Sequence, residues 1–97
     1  MLTLQEIRDD LRDIRYYYGM KEMFDKSADT IKPLAIMEKV DRYNKVMEKA
    51  PARMLALYLA LYVYNNSQVV VAEDWQLTKE HIRNQNKRLL DFLQKSL

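Results

Sequence analysis

Residues 67–93, SQVVVAEDWQLTKEHIRNQNKRLLDFL, decide between a helical chain and a mixed one. Val69–Val70–Val71 is a β-branched run of the kind that favours strands, yet the chain holds no second strand candidate to pair with it. The run therefore reads as part of a short helix, Ser67–Trp75, with Ser67 as its cap. After Trp75–Gln76–Leu77, Thr78 is placed to cap a final helix that runs to about Gln94.

Composition agrees with that reading. A chain of 97 residues with Gly 1 and Pro 2 cannot supply the turns that sandwiches and barrels need at short intervals. The expectation is an all-α fold of about five helices in a single domain, 1–97, long enough for one modest core. With 48% hydrophobic and 31% charged residues, the chain has the apolar surface to fold as a globular protein. Within it, 1–50 reads as an N-terminal helical scaffold or partner-binding arm and 51–97 as a separate C-terminal region.

Upstream, Thr3 and Glu6 have the spacing of a capping box, and Leu2 and Ile7 that of a hydrophobic staple, so a helix should start near Leu4. Leu4, Ile7, Leu11, Ile14 and Tyr18 then alternate spacings of three and four, which puts them on one stripe. Gly19 weakens or bends that helix, and Met20, Met23 and Phe24 suggest that it resumes to about Lys26. Ser27–Lys32 reads as a connector, with Pro33 in the first turn of a second helix, Leu34–Lys49, whose stripe is Ile36, Val40, Tyr43 and Met47. Pro51 separates it from a third, RMLALYLALYVY, residues 53–64. That stretch is apolar around most of its circumference and should be the central, most buried element.

Several function classes are disfavoured. No cysteine is present, which removes disulfides, thiolate metal sites and cysteine nucleophiles. His81 is the sole histidine and lacks partners at metal-ligand spacing, and there is no Gly-rich phosphate loop and no nucleophile paired with a base. The expectation is a non-enzymatic protein with no cofactor and no metal. The N-terminus turns acidic at once, unlike a secretory signal, and the longest apolar run falls short of the roughly 20 residues of a membrane span. A cytoplasmic protein follows as the expectation. The net charge of +2 is small, but acidic residues outnumber basic ones in the first 30 positions, and the positive balance lies in the later two thirds.

Two short helices joined by a tight turn, the second carrying basic and amide side chains, have the sequence form of a helix-turn-helix. Ala72 supplies the small residue where the helices cross, and Leu77 and Ile82 supply the apolar side chains that flank the start of the second helix. Once Ile82 points inward, Thr78, Lys79, Glu80, Arg83, Asn84 and Lys87 fall on the exposed N-terminal half of the last helix, where base edges would be met in the major groove. Arg and Lys can donate to guanine, Asn can pair with adenine and Glu can accept from cytosine. Gln85 and Asn86 interrupt the apolar stripe, which returns at Leu89, Leu90, Phe92 and Leu93.

The stretch LYLALYVYNNSQVVVAEDWQLTKEHIRNQNKRLLDFL, residues 57–93, resembles the promoter-reading C-terminal domain of bacterial sigma factors, in its leucine-rich helix, then SQ, a small residue before an acidic pair, LTKEHIR and LL..FL. With RYYYGMKEMFDKS and EKVDRYNKVMEKAP upstream, the whole chain is similar to small phage-encoded transcription regulators of the ArpU and RinA type. The resemblance implies a regulator in the bacterial host cytoplasm, associated with the nucleoid, bound to double-stranded DNA and in contact with RNA polymerase. It makes Lys79, Glu80, Arg83 and Asn84 the base-facing positions and Thr78 a phosphate contact; the orientation of the helix adds Lys87 as a second phosphate contact. Where that family commonly has a glycine in the turn, this chain has Gln76, which requires either a turn without positive φ or strain at that residue.

Two further expectations accompany this reading. Helix-turn-helix proteins usually bind as dimers, so the Leu4–Tyr18 stripe is either a homodimer seam or the cover of the third helix. The competing function is a helical-bundle protein-interaction module, of the anti-activator or immunity type, whose last helix docks on a protein rather than DNA.

Overall fold

The computed structural model describes residues 1–21 and 34–97. Among the described residues there are five α-helices and one π-helical segment, with no strand. They are α1 (Leu4–Gly19), α2 (Leu34–Met47), α3 (Ala52–Tyr58) with the π-helical segment Leu59–Val63 continuing it, α4 (Gln68–Trp75) and α5 (Lys79–Ser96). None of the described helices is long and apolar enough to cross a membrane. The β-branched run 69–71 lies inside α4.

The start of α1 is fixed by local chemistry. The Glu6 amide donates to Thr3 Oγ1 at 3.1 Å and the Thr3 amide to Glu6 Oε1 at 2.9 Å, so both arms of the capping box are closed. Gly19 ends the helix, with Met20 as its cap residue. The expected continuation from residue 22, the Ser27–Lys32 connector and Pro33 lie outside the described residues.

Ile7, Leu11 and Ile14 of α1, Val40, Tyr43 and Met47 of α2, and Ile82, Leu89, Leu90 and Leu93 of α5 meet in one core. The spacing of three and four is what allows each amphipathic helix to deliver that many side chains to one side. Tyr17 joins them, buried, while Tyr18 is half-buried and Tyr16 is 56% exposed, so the three consecutive tyrosines take three different environments.

Residues 53–64 depart from the expected single α-helix. They pack against α1, α4 and α5, with Leu57, Tyr58 and Leu61 buried. From Leu59 onward the segment is π-helical, closed by the Tyr64 amide on the Leu59 carbonyl at 2.8 Å, five residues back. It terminates through Asn65 in the left-handed region, φ 58°, with the Asn66 amide on the Ala60 carbonyl. Tyr64 is thereby left 68% exposed. Arg15 secures the exit, donating through Nε to Asn65 Oδ1 at 3.0 Å and through Nη2 to the Asn65 carbonyl at 3.3 Å.

A polar set links α1, α2 and α3. Tyr43 Oη donates to Asp10 Oδ2 at 2.6 Å, and Lys39 Nζ lies 3.1 Å from Asp10 Oδ1 and 2.8 Å from Asp13 Oδ2. Asn44 accepts from Tyr58 Oη and donates to Tyr18 Oη, both at 2.9 Å. Burial is the largest influence pushing the Tyr43 and Tyr58 hydroxyls upward in pKa, and at Tyr43 the bond to Asp10 adds to it. The Lys39 ammonium is also raised, first by its hydrogen bond to Asp13 and further by Asp10.

Candidate functional site

The site is built on α4, the turn after it and the first half of α5. Ser67 caps α4 by accepting from the Val70 amide at 3.2 Å, and Thr78 caps α5 by accepting from the His81 amide at 3.1 Å. Two hydroxyl caps eleven positions apart thus fix where each helix begins.

Gln76, between them, stands at φ 57°, ψ 43° in the left-handed region. Its amide bonds to the Glu73 carbonyl and the Leu77 amide to the Ala72 carbonyl at 2.8 Å, a pair of bonds with the pattern of a Schellman motif. Of the two alternatives open from the sequence, the turn takes the positive-φ one. A residue with a Cβ is strained there, at a cost of about 1 kcal/mol relative to glycine.

The turn brings α4 onto α5 through apolar residues. Val71 and Ala72 are buried on α4, Leu77 is half-buried in the turn, and Ile82 is fully buried one turn into α5. Trp75 is half-buried, with the Arg53 guanidinium 5.7 Å from its ring centroid, a cation–π contact that ties α3 to the end of α4.

With Ile82 inward, the six residues singled out from the sequence are all exposed. Thr78 stands at the helix start, Lys79 and Glu80 in the first turn, and Arg83, Asn84 and Lys87 in the next two. Arg83 Nη2 and Glu80 Oε1 are 4.0 Å apart, at the limit of an ion pair, with both side chains more than half exposed. Such a pair contributes little and opens readily. The Thr78 hydroxyl already accepts one amide as a cap, which leaves its proton available for a donor role. His81 and Gln85 touch each other at 2.7 Å on the flank.

Two residues take roles that their sequence positions did not suggest. Asn86 does not interrupt the inward stripe of α5. It occupies a half-buried place on it and accepts from Tyr62 Oη at 2.6 Å, which joins the π segment to α5. Arg88, on the other flank, lines a shallow hollow with Gln85, Pro51, Arg53, Met54 and Leu57. The Tyr62–Asn86 pair spans 24 positions, and no local pattern announces it.

Around the exposed set, Glu73 and Asp74 are exposed at the end of α4. The face of α5 thus carries cationic and amide groups with one carboxylate, Glu80, and an acidic pair next to it. The chain matches no protein-family model, no curated protein and no solved structure.

Proposed function

We propose that the protein is a sequence-specific DNA-binding transcription regulator that lays the outer face of α5 in the major groove. The observation that carries this reading is the burial of Ile82 behind the α4–turn–α5 pair, because it turns Glu80, Arg83, Asn84 and Lys87 outward together at the N-terminal half of the second helix, beside Lys79 at its exposed start. In a helix-turn-helix those are the positions that meet base edges. Lys79, Glu80, Arg83 and Asn84 have the donors and acceptors to read bases, and Thr78 and Lys87 are suited to phosphate oxygens.

The likeness of residues 57–93 to the sigma-factor C-terminal domain, and of the longer chain to phage regulators of the ArpU and RinA type, supports the same reading. It adds a phage or prophage origin and RNA polymerase as a second partner. Action as a homodimer accords with the habit of helix-turn-helix proteins, but the Leu4–Tyr18 stripe already has an occupant, since Ile7, Leu11 and Ile14 are buried within the chain. A dimer of this protein therefore uses another face.

Selection of bound duplexes from a random pool tests the proposal and yields the site and its symmetry. On the selected duplex, Arg83→Ala weakens binding by about 1–3 kcal/mol, the scale of one base contact, with the fold intact. Equal binding by wild type and Arg83→Ala would remove α5 as the reading helix.

One observation favours the protein-interaction reading. Tyr64, just after the π segment, and Val69 and Val70 of α4 are large apolar side chains each at least 40% exposed. Absence of any duplex binding at low salt supports that alternative.

A further inference from the structure

The charges of α1 are sorted by flank. At 100° per residue, Arg8, Arg12 and Arg15 fall within about 60° of one another, whereas Glu6, Asp9, Asp10 and Asp13 occupy a separate arc of about 100°. The structure gives the two flanks different surroundings. Asp10 and Asp13 face α2 and are taken up by Lys39 and Tyr43. The three arginines line an open groove of about 220 Å³ whose far wall is Asn86 and Leu90 of α5.

Around α5, the direction of Asn86 and Leu90 continues outward to Arg83 and Lys87, which lie within about 60° beyond Leu90 on the same side. The arginine flank of α1 therefore faces, across one groove, the flank of α5 that leads outward to Arg83 and Lys87, with Glu80 about 20° beyond Lys87. Of the acidic arc of α1, Asp10 and Asp13 are taken up by Lys39 of α2, Asp9 is spanned by Arg12 and Glu6 is bonded at the Thr3 cap, and none of the four lines the groove. The Arg12 side chain is 76% exposed, and its one ion pair among the described residues, with Asp9, is loose at 3.5 Å. Arg8 is exposed and has no hydrogen bond or ion pair among the described residues. Arg15 differs from both, since Asn65 holds it.

We propose that Arg8 and Arg12 of α1 form a phosphate clamp that grips the backbone of one DNA strand beside the groove entered by α5, with Arg15 anchoring the clamp to the body of the protein. The inference rests on the DNA-binding reading above and adds a second, sequence-blind contact surface from the other end of the chain. A duplex is the occupant that the chemistry favours: guanidinium groups at intervals of one helical turn can meet successive phosphates bidentately, and none of the residues that line the groove behind them carries a carboxylate.

The test is a salt titration of binding by the full chain, read by fluorescence anisotropy on the selected duplex and on one of random sequence. For Arg8→Gln with Arg12→Gln, the slope of log affinity against log salt should fall by about 2, since each phosphate contact contributes about 0.9. Affinity should drop by the same factor on both duplexes, leaving their ratio unchanged. Arg8→Gln alone, which breaks no described contact, should lower the slope by about 1, and Arg8→Lys with Arg12→Lys should restore most of it. Circular dichroism checks that the helices are retained. Wild-type slope and affinity in the double glutamine variant overturn the clamp while leaving the reading by α5 in place. A loss confined to the selected duplex also overturns it, because that outcome marks base reading. If the wild type binds neither duplex at low salt, both proposals fall together.

Discussion

Between α1 and α2, Asp10, Asp13, Lys39 and Tyr43 close on one another, and Asn44 completes a chain from Tyr18 to Tyr58. On the outer face of α5, Lys79, Asn84 and Lys87 carry equally polar groups that make no hydrogen bond or ion pair among the described residues. The first set has its partners inside the chain, because burial makes an unmatched polar group expensive. The second set faces water, where leaving a group open costs little. The two regions therefore respond to perturbation in opposite ways: changes in the first are felt as stability, changes in the second as binding.

The largest effect expected is on the inner network at high pH. Tyr43, Tyr58 and Tyr62 are held above the ordinary 10.0 of a tyrosine, chiefly by burial, and Lys39 above 10.5 by its carboxylate partners. All four act with one sign: the stability they contribute is complete below about pH 10 and is lost as pH rises through their folded-state values. Urea unfolding at about pH 7, 9 and 11.5, followed with tyrosinate absorbance, should give equal midpoints at the first two and a steep loss at the third. A midpoint that held at the highest pH would break the contrast between the regions.

Next in size, Ile82→Ala should destabilise by about 2–5 kcal/mol, since Ile82 is fully enclosed. The same change tests whether the orientation of α5 depends on that one side chain. Asn44→Ala leaves the buried hydroxyl of Tyr58 without its acceptor and should cost about 1–3 kcal/mol by chemical denaturation. A loss below about 0.5 kcal/mol would mean that water substitutes for Asn44. Gln76→Gly is expected to stabilise, by up to about 1 kcal/mol, because glycine takes the left-handed turn without strain. Lys87→Ala, on the open face, should leave stability within about 0.5 kcal/mol of wild type.

How much of this was legible follows from the range of each interaction. The capping box at Thr3 and Glu6, the caps at Ser67 and Thr78, and the stripes of α1, α2 and α5 are written within a few residues, and the structure bears them out, except that Tyr17 rather than Tyr18 takes the buried place at the end of the α1 stripe. The outward orientation of Glu80, Arg83, Asn84 and Lys87 was legible for the same reason, since it follows from Ile82 by helix geometry, whereas Thr78 and Lys79, four and three positions before Ile82, are exposed because they stand at the helix start. The role of Asn86 was not, because its partner Tyr62 arrives from a different helix. The tyrosine–asparagine chain escaped notice likewise, its members being 14 to 26 positions apart. Gln76 was legible as a question and not as an answer: the sequence could say that a glycine was missing, not which way the backbone would turn.

The break at Leu59 left no trace in the sequence for a different reason. A helix apolar on nearly every side has no stripe, and without a stripe there is no phase to read. The π segment has its own consequence for how this protein can vary. Deleting one residue between Leu59 and Val63 would turn the bond from the Tyr64 amide to the Leu59 carbonyl into an ordinary α-helical one and leave the chain after it in place, with Asn65 still under Arg15. The same deletion within α1 or α5, which have no wide turn to give up, would rotate the rest of the helix by about 100°. The π segment is thus a store of one residue of slack between α3 and the C-terminal helices.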